Sequence, residues 1–261
     1  MDSTTYQELY SKLGTLDDAR HIAEKRGIND EVLLAILSLK LVRNTRRKFH
    51  ELEENVDALK DKWANGRSFM ELSRELDFPP VLTASLILQA RGMRRKDVRN
   101  LLKGQGNVSD GRIVRELKEA VKEDFLYSPW AHKLQRRRAE AGEKILEEWL
   151  LKMNADFIRE KDAGNNKITP DFLLMEKLSI DGRKISWVES KANFGDRVEH
   201  IRYMRKQLTP YLLELGDGMV VYWCGYLDSL GQLEPQILIK DYKFFPEQKD
   251  MIKELFRLSR W

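Results

Sequence analysis

The chain has 261 residues, 42% hydrophobic and 34% charged, with a net charge of +4. That length admits two compact domains, and the apolar share excludes wholesale disorder. The single cysteine, Cys224, excludes an internal disulfide, and no apolar run approaches the roughly 20 residues that span a bilayer.

These features point to a soluble cytoplasmic protein, or a nuclear one in a eukaryote, with no membrane partner. The polar residues 1–10 do not resemble a signal peptide. The modest positive charge permits nucleic-acid binding without demanding it, so the placement of the basic residues matters more than their sum.

Helices dominate the first hundred residues. Thr15 can cap a helix over residues 15–26, and Gly27 can stop it. Asn29 can cap a second, through Val42. A third is predicted over residues 45–64, where Phe49, Leu52, Val56, Leu59 and Trp63 form a narrow apolar seam that suits packing on a neighbouring helix. After Gly66, Ser68 and Glu71 make a capping box for a helix to Leu76. Pro79 and Pro80 suit the first turn of the next helix, over residues 81–91, which Gly92 ends. Two short helices across a tight link have the outline of a helix-turn-helix. Residues 104–111 look like a linker. The expected division is a helical, helix-turn-helix DNA-binding domain over 1–104 and an α/β domain over 105–261.

Beyond the linker, helices are predicted over residues 110–124 and 129–153. Strands follow at 155–159, 172–180, 184–192, 219–227 and 236–242. Asp181-Gly182 is a hairpin signal between the second and third strands. A helix over 196–215 separates the third strand from the fourth, and a last helix follows Pro246. The order αβββαββ describes a mixed sheet flanked by helices.

Hydrolysis of a phosphodiester needs an attacking water, charge neutralisation on the phosphate and help for the leaving oxygen. Carboxylates holding one or two Mg²⁺ ions can supply much of this. Asp171 opens the second strand, and Glu189-Ser190-Lys191 lies in the third. Side chains at i and i+2 of a strand share a face, so Glu189 and Lys191 project together and Asp171 can meet them from the hairpin partner. Lys191 can orient the water or offset charge on the pentavalent phosphate. The Ser190 carbonyl is a natural extra metal ligand. On the helix over 129–153, Ile145, Leu146, Trp149, Leu150 and Met153 form an apolar face, and Glu143 lies on its rim as a further acid. Gln207, on the later helix, is a polar accessory. A Pro-Asp pair followed by Glu-x-Lys arises readily by chance. Its context strengthens it, because Ile185 and Trp187 share the face of Glu189 and Lys191 and make a merely solvated face a poor account.

Three segments also look familiar together: Lys167-Ile-Thr169-Pro170-Asp171-Phe-Leu-Leu, Trp187-Val-Glu189-Ser190-Lys191-Ala-Asn-Phe194-Gly195-Asp196, and Gly218-Met-Val-Val-Tyr222-Trp223-Cys-Gly225. They resemble the TPD-motif family of archaea and animals, which includes the codanin-interacting nuclease. The resemblance covers most of residues 129–242 and, more loosely, the helical half before them. It implies a restriction-endonuclease-like domain of the PD-(D/E)XK superfamily, with DNA as substrate and Mg²⁺ as metal, Mn²⁺ being its substitute. It carries catalytic roles to Asp171, Glu189 and Lys191 and a supporting role to Glu143. Gln207 and Asp196 match family positions.

Basic residues cluster beside these elements. Arg94, Arg95, Lys96 and Arg99 follow the helix-turn-helix, and Lys133, Arg136, Arg137 and Arg138 precede Glu143. Phosphate contacts suit both runs. A third run is Arg43, Arg46, Arg47 and Lys48. The blander reading of each is a solvated helix face. The apolar helix over 81–91 offers few groups able to read bases, so recognition of DNA structure is expected rather than of sequence. His21, His50, His132 and His200 have no ligand spacing, and Cys224 reads as core. The leading expectation is a Mg²⁺-dependent DNA endonuclease. A homodimer would suit paired cuts. The competing classes are a non-catalytic DNA- or partner-binding protein on a nuclease-like frame, and a regulator with a ligand-sensing pocket.

Overall fold

The computed structural model describes residues 1–164 and 168–257; Lys167 of the first motif lies outside them. Two compact units form, one from Met1–Leu37 with Arg136–Trp261 and one from Ser38–Gln135. The expected boundary at 104/105 thus falls inside the second unit, and the chain changes unit within two long helices instead.

Helices α1 (Ser3–Lys12), α2 (Leu16–Arg26) and α3 (Asp30–Glu54) open the chain. Thr15 and Asp18 form a capping box on α2, and Gly27 ends it in the left-handed conformation, φ 63°. The break expected between helices over 29–42 and 45–64 falls elsewhere: α3 runs unbroken past residue 45, and the chain breaks at Asn55, leaving Val56–Ala64 as a separate helix. No strong breaker stands at Arg43-Asn44, whereas the Asn55 side chain turns back to donate to the Glu51 carbonyl at 2.8 Å.

The Ser38–Gln135 unit is helical. It continues with α4 (Val56–Ala64), α5 (Phe69–Leu76), α6 (Pro80–Ala90), α7 (Arg95–Leu102) and α8 (Gly111–Glu123). The Ser68/Glu71 capping box starts α5 as expected. Trp63 stacks on Phe69 with ring centroids 5.5 Å apart. The buried Glu116 carboxylate accepts from Trp63 Nε1 (2.8 Å), Phe69 N (3.1 Å) and Arg112 Nε (2.7 Å), so its burial is compensated. Asp124 does the same for the Val81, Leu126 and Tyr127 amides.

A short turn joins α5 to α6, and most of α6 is buried. Val81, Thr83, Ala84, Leu86, Ile87 and Leu88 are buried. Ser85 and Gln89 spend side-chain donors on the Val81 and Ser85 carbonyls. A helix apolar on nearly every side belongs inside a bundle. Its amphipathic neighbour α7, which carries the exposed Arg95, Lys96 and Arg99, presents the charge.

The other unit holds α9 (Pro129–Lys152, from Arg136 on) and a five-stranded sheet. The strands β1 (Phe157–Arg159), β2 (Phe172–Ile180), β3 (Arg183–Lys191), β4 (Gly218–Tyr222) and β5 (Ile237–Asp241) lie in that spatial order. Pairing is antiparallel from β1 to β3 and parallel from β3 to β5. The β2–β3 hairpin turns through Asp181 (φ 50°) and Gly182 (φ 76°), both left-handed as a type I′ turn requires. From β3 the chain returns to β4 through α10 (Arg197–Tyr203), a π-helical segment (Met204–Leu208) and α11 (Thr209–Leu215). A final helix, α12, covers Lys249–Arg257.

One sheet face packs Val188, Met219, Val221 and Trp223 against Ile145, Leu146, Trp149 and Leu150 of α9 and Ile252 and Leu255 of α12. Met153, expected on that α9 face, is 44% exposed, because α9 ends at Lys152 and Asn154 turns left-handed. The central parallel strand β4 is buried at every position. Among the described residues no helix is long and apolar enough to cross a membrane.

Candidate active site

The hairpin register sets Phe172 opposite Val188, which brings Asp171, just ahead of β2, beside Glu189. The backbone fixes both carboxylates. Ser190 N–H donates to Asp171 Oδ2 at 2.7 Å, and Asp171 N–H donates to Glu189 Oε2 at 3.2 Å. Lys191 Nζ donates to Glu189 Oε1 at 2.6 Å and to Gln207 Oε1 at 2.9 Å. Asp171, Glu189, Lys191 and Gln207 are therefore brought together.

Strand alternation sends Ser190 to the opposite face. There its hydroxyl accepts from Trp223 Nε1 at 2.8 Å, under α9. Gly142 permits this approach. A Cβ at that position would lie 2.4 Å from Trp223 Nε1 and 3.1 Å from Ser190 Oγ.

Two carboxylates so close cannot both ionise freely. Burial first, then the neighbouring Glu189 charge, push the Asp171 pKa up to about 8; the Ser190 amide and the Lys191 ammonium act the other way. Asp171 lines a cleft of about 370 Å³ together with Glu140, Glu143, Glu160 and Arg159. Glu143 is exposed and lines the cleft, where it is partly screened from solvent. Burial there, then Glu160, Glu140 and Glu189, raise its pKa. Glu143 makes no bond to the Asp171–Glu189–Lys191 group. Among the described residues no three His, Cys, Asp or Glu side chains gather closely enough to hold a metal by themselves. The protein groups able to serve an ion here are Asp171, Glu189 and the Ser190 carbonyl. That carbonyl leaves the strand on the same edge as the amide donating to Asp171.

The basic residues divide. Arg95, Lys96, Arg99, Lys133, Arg136 and Arg137 are exposed. Arg94 is exposed but clasps Asp97 through Nε at 2.7 Å and Nη2 at 3.2 Å. Arg138 is not available for DNA. It turns inward to the buried Glu31 at 2.9 Å and the Cys224 sulfur at 3.3 Å, because a buried carboxylate needs a cation more than a solvated face does.

Sequence reasoning passed over two tyrosines. Tyr203 lays its ring 4.6 Å from Lys191 Nζ, and the Tyr211 hydroxyl donates to the Thr169 carbonyl at 3.0 Å, beside Pro170-Asp171. The available signal was their spacing: both stand four residues from Gln207, one before and one after, and so share its helix face.

Comparison with known proteins gives the family. The model described as "Protein of unknown function TPD sequence-motif" matches residues 109–243, more than half the chain, including Asp171, Glu189, Lys191 and Gln207. Proteins named CDAN1-interacting nuclease 1 are similar. The one from Homo sapiens is 28% identical over 228 residues, covering 80% of this chain and 81% of that protein. The one from Gallus gallus is 28% identical over 264 residues, covering 90% and 92%. The one from Danio rerio is 30% identical over 183 residues, covering 66% and 61%. No solved structure matches. The chain belongs to the TPD sequence-motif family.

Proposed function

We propose that the chain is a metal-dependent DNA endonuclease of the PD-(D/E)XK superfamily, directed by DNA structure rather than by sequence. The observation that carries this reading is the hydrogen-bonded group of Asp171, Glu189 and Lys191, just ahead of β2 and at the end of the central strand β3, with Asp171 lining a cleft. The names of the relatives support the same class of activity.

The donor set suits Mg²⁺, with Mn²⁺ as substitute. Mg²⁺ takes one or two carboxylates and keeps several waters, and Asp171 with Glu189 is such a pair. Burial first and the Glu189 charge second pull Asp171 upward, and a bound cation would offset the second of these. Asp171, Glu189 and the Ser190 carbonyl would hold the ion, and Glu143 lines the adjoining cleft as a further acid. The bound ion supplies a more acidic water and charge neutralisation on the phosphate.

The chain's own residues do the rest. Ser190 N–H fixes the Asp171 carboxylate. Lys191 has three N–H donors, of which Glu189 and Gln207 take two. The third can meet the attacking water or a phosphate oxygen. Arg95, Lys96, Arg99, Lys133, Arg136 and Arg137 hold phosphates without reading bases. The burial of α6 supports recognition of structure over sequence. The work is placed in the cytoplasm or, in a eukaryote, the nucleus. A protein partner is proposed from the relatives' names, which call them CDAN1-interacting.

The test is purified protein on a panel of branched and linear DNAs, with and without Mg²⁺ or Mn²⁺. Cleavage is expected only with metal and is expected to vanish in Asp171→Ala, whose fold is checked by circular dichroism. Equal cleavage by wild type and variant would reject the assignment.

A further inference from the structure

The ammonium of Lys191 is held from three directions, of which two are already described: Glu189 Oε1 at 2.6 Å and Gln207 Oε1 at 2.9 Å. The third is the face of Tyr203, whose ring centroid lies 4.6 Å from Nζ, well inside the roughly 6 Å reach of a cation–π contact. The ring is itself fixed. Its hydroxyl accepts from Asn193 Nδ2 at 2.8 Å, and Asn193 stands two residues beyond Lys191. A second cation, the Arg202 guanidinium, lies 5.0 Å from the same ring and is paired with Glu199.

We propose that Tyr203 is a positioning residue for Lys191, setting where its ammonium points. The proposal rests on the catalytic reading of Lys191 given above. Lysine carries a compact charge on a flexible stem, and two carbonyl-type acceptors leave it a range of directions. A π face adds a broad attractive wall without consuming a strong N–H donor, so one N–H stays available for the reaction. The backbone supports the same arrangement. Tyr203 ends α10, and Gln207 follows within the π-helical segment four residues on, so both overhang one side of Lys191. Asn193 ties the ring to the strand that bears the lysine.

A tyrosine that merely packs would behave differently from one that aims the lysine. In Tyr203→Leu, kcat is expected to fall about 10- to 100-fold with KM little changed, the size of loss that follows small misplacement of a reacting group. Tyr203→Phe keeps the ring and should retain most of the activity. In a Lys191→Ala background Tyr203→Leu should cost nothing further, because the two residues act as one unit.

A second readout needs no activity. In protein carrying ¹³C-ε-labelled lysine, the Lys191 methylene protons should be shifted upfield by the ring in wild type and Tyr203→Phe. They should return to the ordinary lysine position in Tyr203→Leu. The Lys191→Ala variant assigns the signal. An unmoved signal, or wild-type turnover in Tyr203→Leu while Lys191→Ala is inactive, would overturn the proposal and leave the nuclease reading standing. A wild type that shows the shifted signal but cleaves no DNA would sink the nuclease reading and, with it, the catalytic purpose assigned to Tyr203.

Discussion

Asp171→Asn should make the metal-free protein more stable while removing its activity. In the folded chain the Asp171 carboxyl lies against Glu189, and burial followed by that charge lifts its pKa from 3.8 to about 8. An acid whose folded pKa lies above its unfolded value binds its proton more tightly in the native state. Its stabilising contribution is therefore full below the unfolded value and is lost as pH climbs from about 4 to about 8. Every tenfold gain in proton affinity is worth about 1.4 kcal/mol, and roughly three such factors separate pH 7 from the unfolded value, which gives a ceiling of about 4 kcal/mol. An effective dielectric well above that of a dry interior lowers this ceiling. An effect of about 1–2 kcal/mol is expected, or a few degrees in Tm. Asparagine keeps an oxygen for the Ser190 amide and gains an N–H that can face Glu189. The assay is urea unfolding in chelator at several pH values between about 5 and 8. Wild type should lose stability across that range, and Asp171→Asn should lose less. Added Mg²⁺ should then stabilise wild type and leave the variant unmoved. Parallel pH profiles, or a variant less stable than wild type near pH 7.5, would refute the reasoning.

Other residues make separate predictions. Gly142→Ala drives a methyl into Trp223 Nε1 and the Ser190 hydroxyl, so it should destabilise the fold by about 1–3 kcal/mol in chemical denaturation. Arg138→Ala takes this cation away from the buried Glu31 carboxylate and should cost about 3 kcal/mol, while the salt dependence of DNA binding stays as it was. Arg95→Ala with Arg99→Ala removes neighbouring exposed cations of α7 that no carboxylate claims among the described residues. The slope of log affinity against log salt on duplex DNA should flatten by about 1.8, two phosphate contacts' worth, measured by fluorescence anisotropy.

Much of the site was legible because a strand has a period of two. Glu189 and Lys191 must share a face, and the Asp181-Gly182 turn fixes the register that brings Asp171 alongside. Capping chemistry was equally local, and Thr15, Ser68 and Asp110 start helices where their side chains can accept backbone N–H bonds. What stayed hidden depended on partners distant in sequence. The run from Arg136 to Arg138 reads as one basic patch, yet the last member is claimed by Glu31, more than a hundred residues earlier. Helix α6, by contrast, was legible: its apolar sequence offers few groups able to read bases, and most of its circumference is buried in the bundle. Helix α1 escaped notice because its sequence is polar, although Asp2 caps it and Leu9 is fully buried.

The most informative mismatch is the stretch over residues 196–215, which periodicity predicts as a single helix. Pro210 has no N–H, and its ring crowds the carbonyl of Lys206, so the α ladder cannot run straight through. The chain widens into a π turn over Met204–Leu208, ending just before Thr209-Pro210. Such turns cost hydrogen-bond geometry and persist mostly where a site uses them. Here the widened turn carries Gln207 onto the Lys191 ammonium and follows directly on Tyr203, which faces the same group. Hydrophobic periodicity and the backbone therefore part company at a segment that overhangs the lysine. A helix regularised by Pro210→Ala would gain backbone bonds and should draw Gln207 off Lys191, trading catalytic geometry for stability.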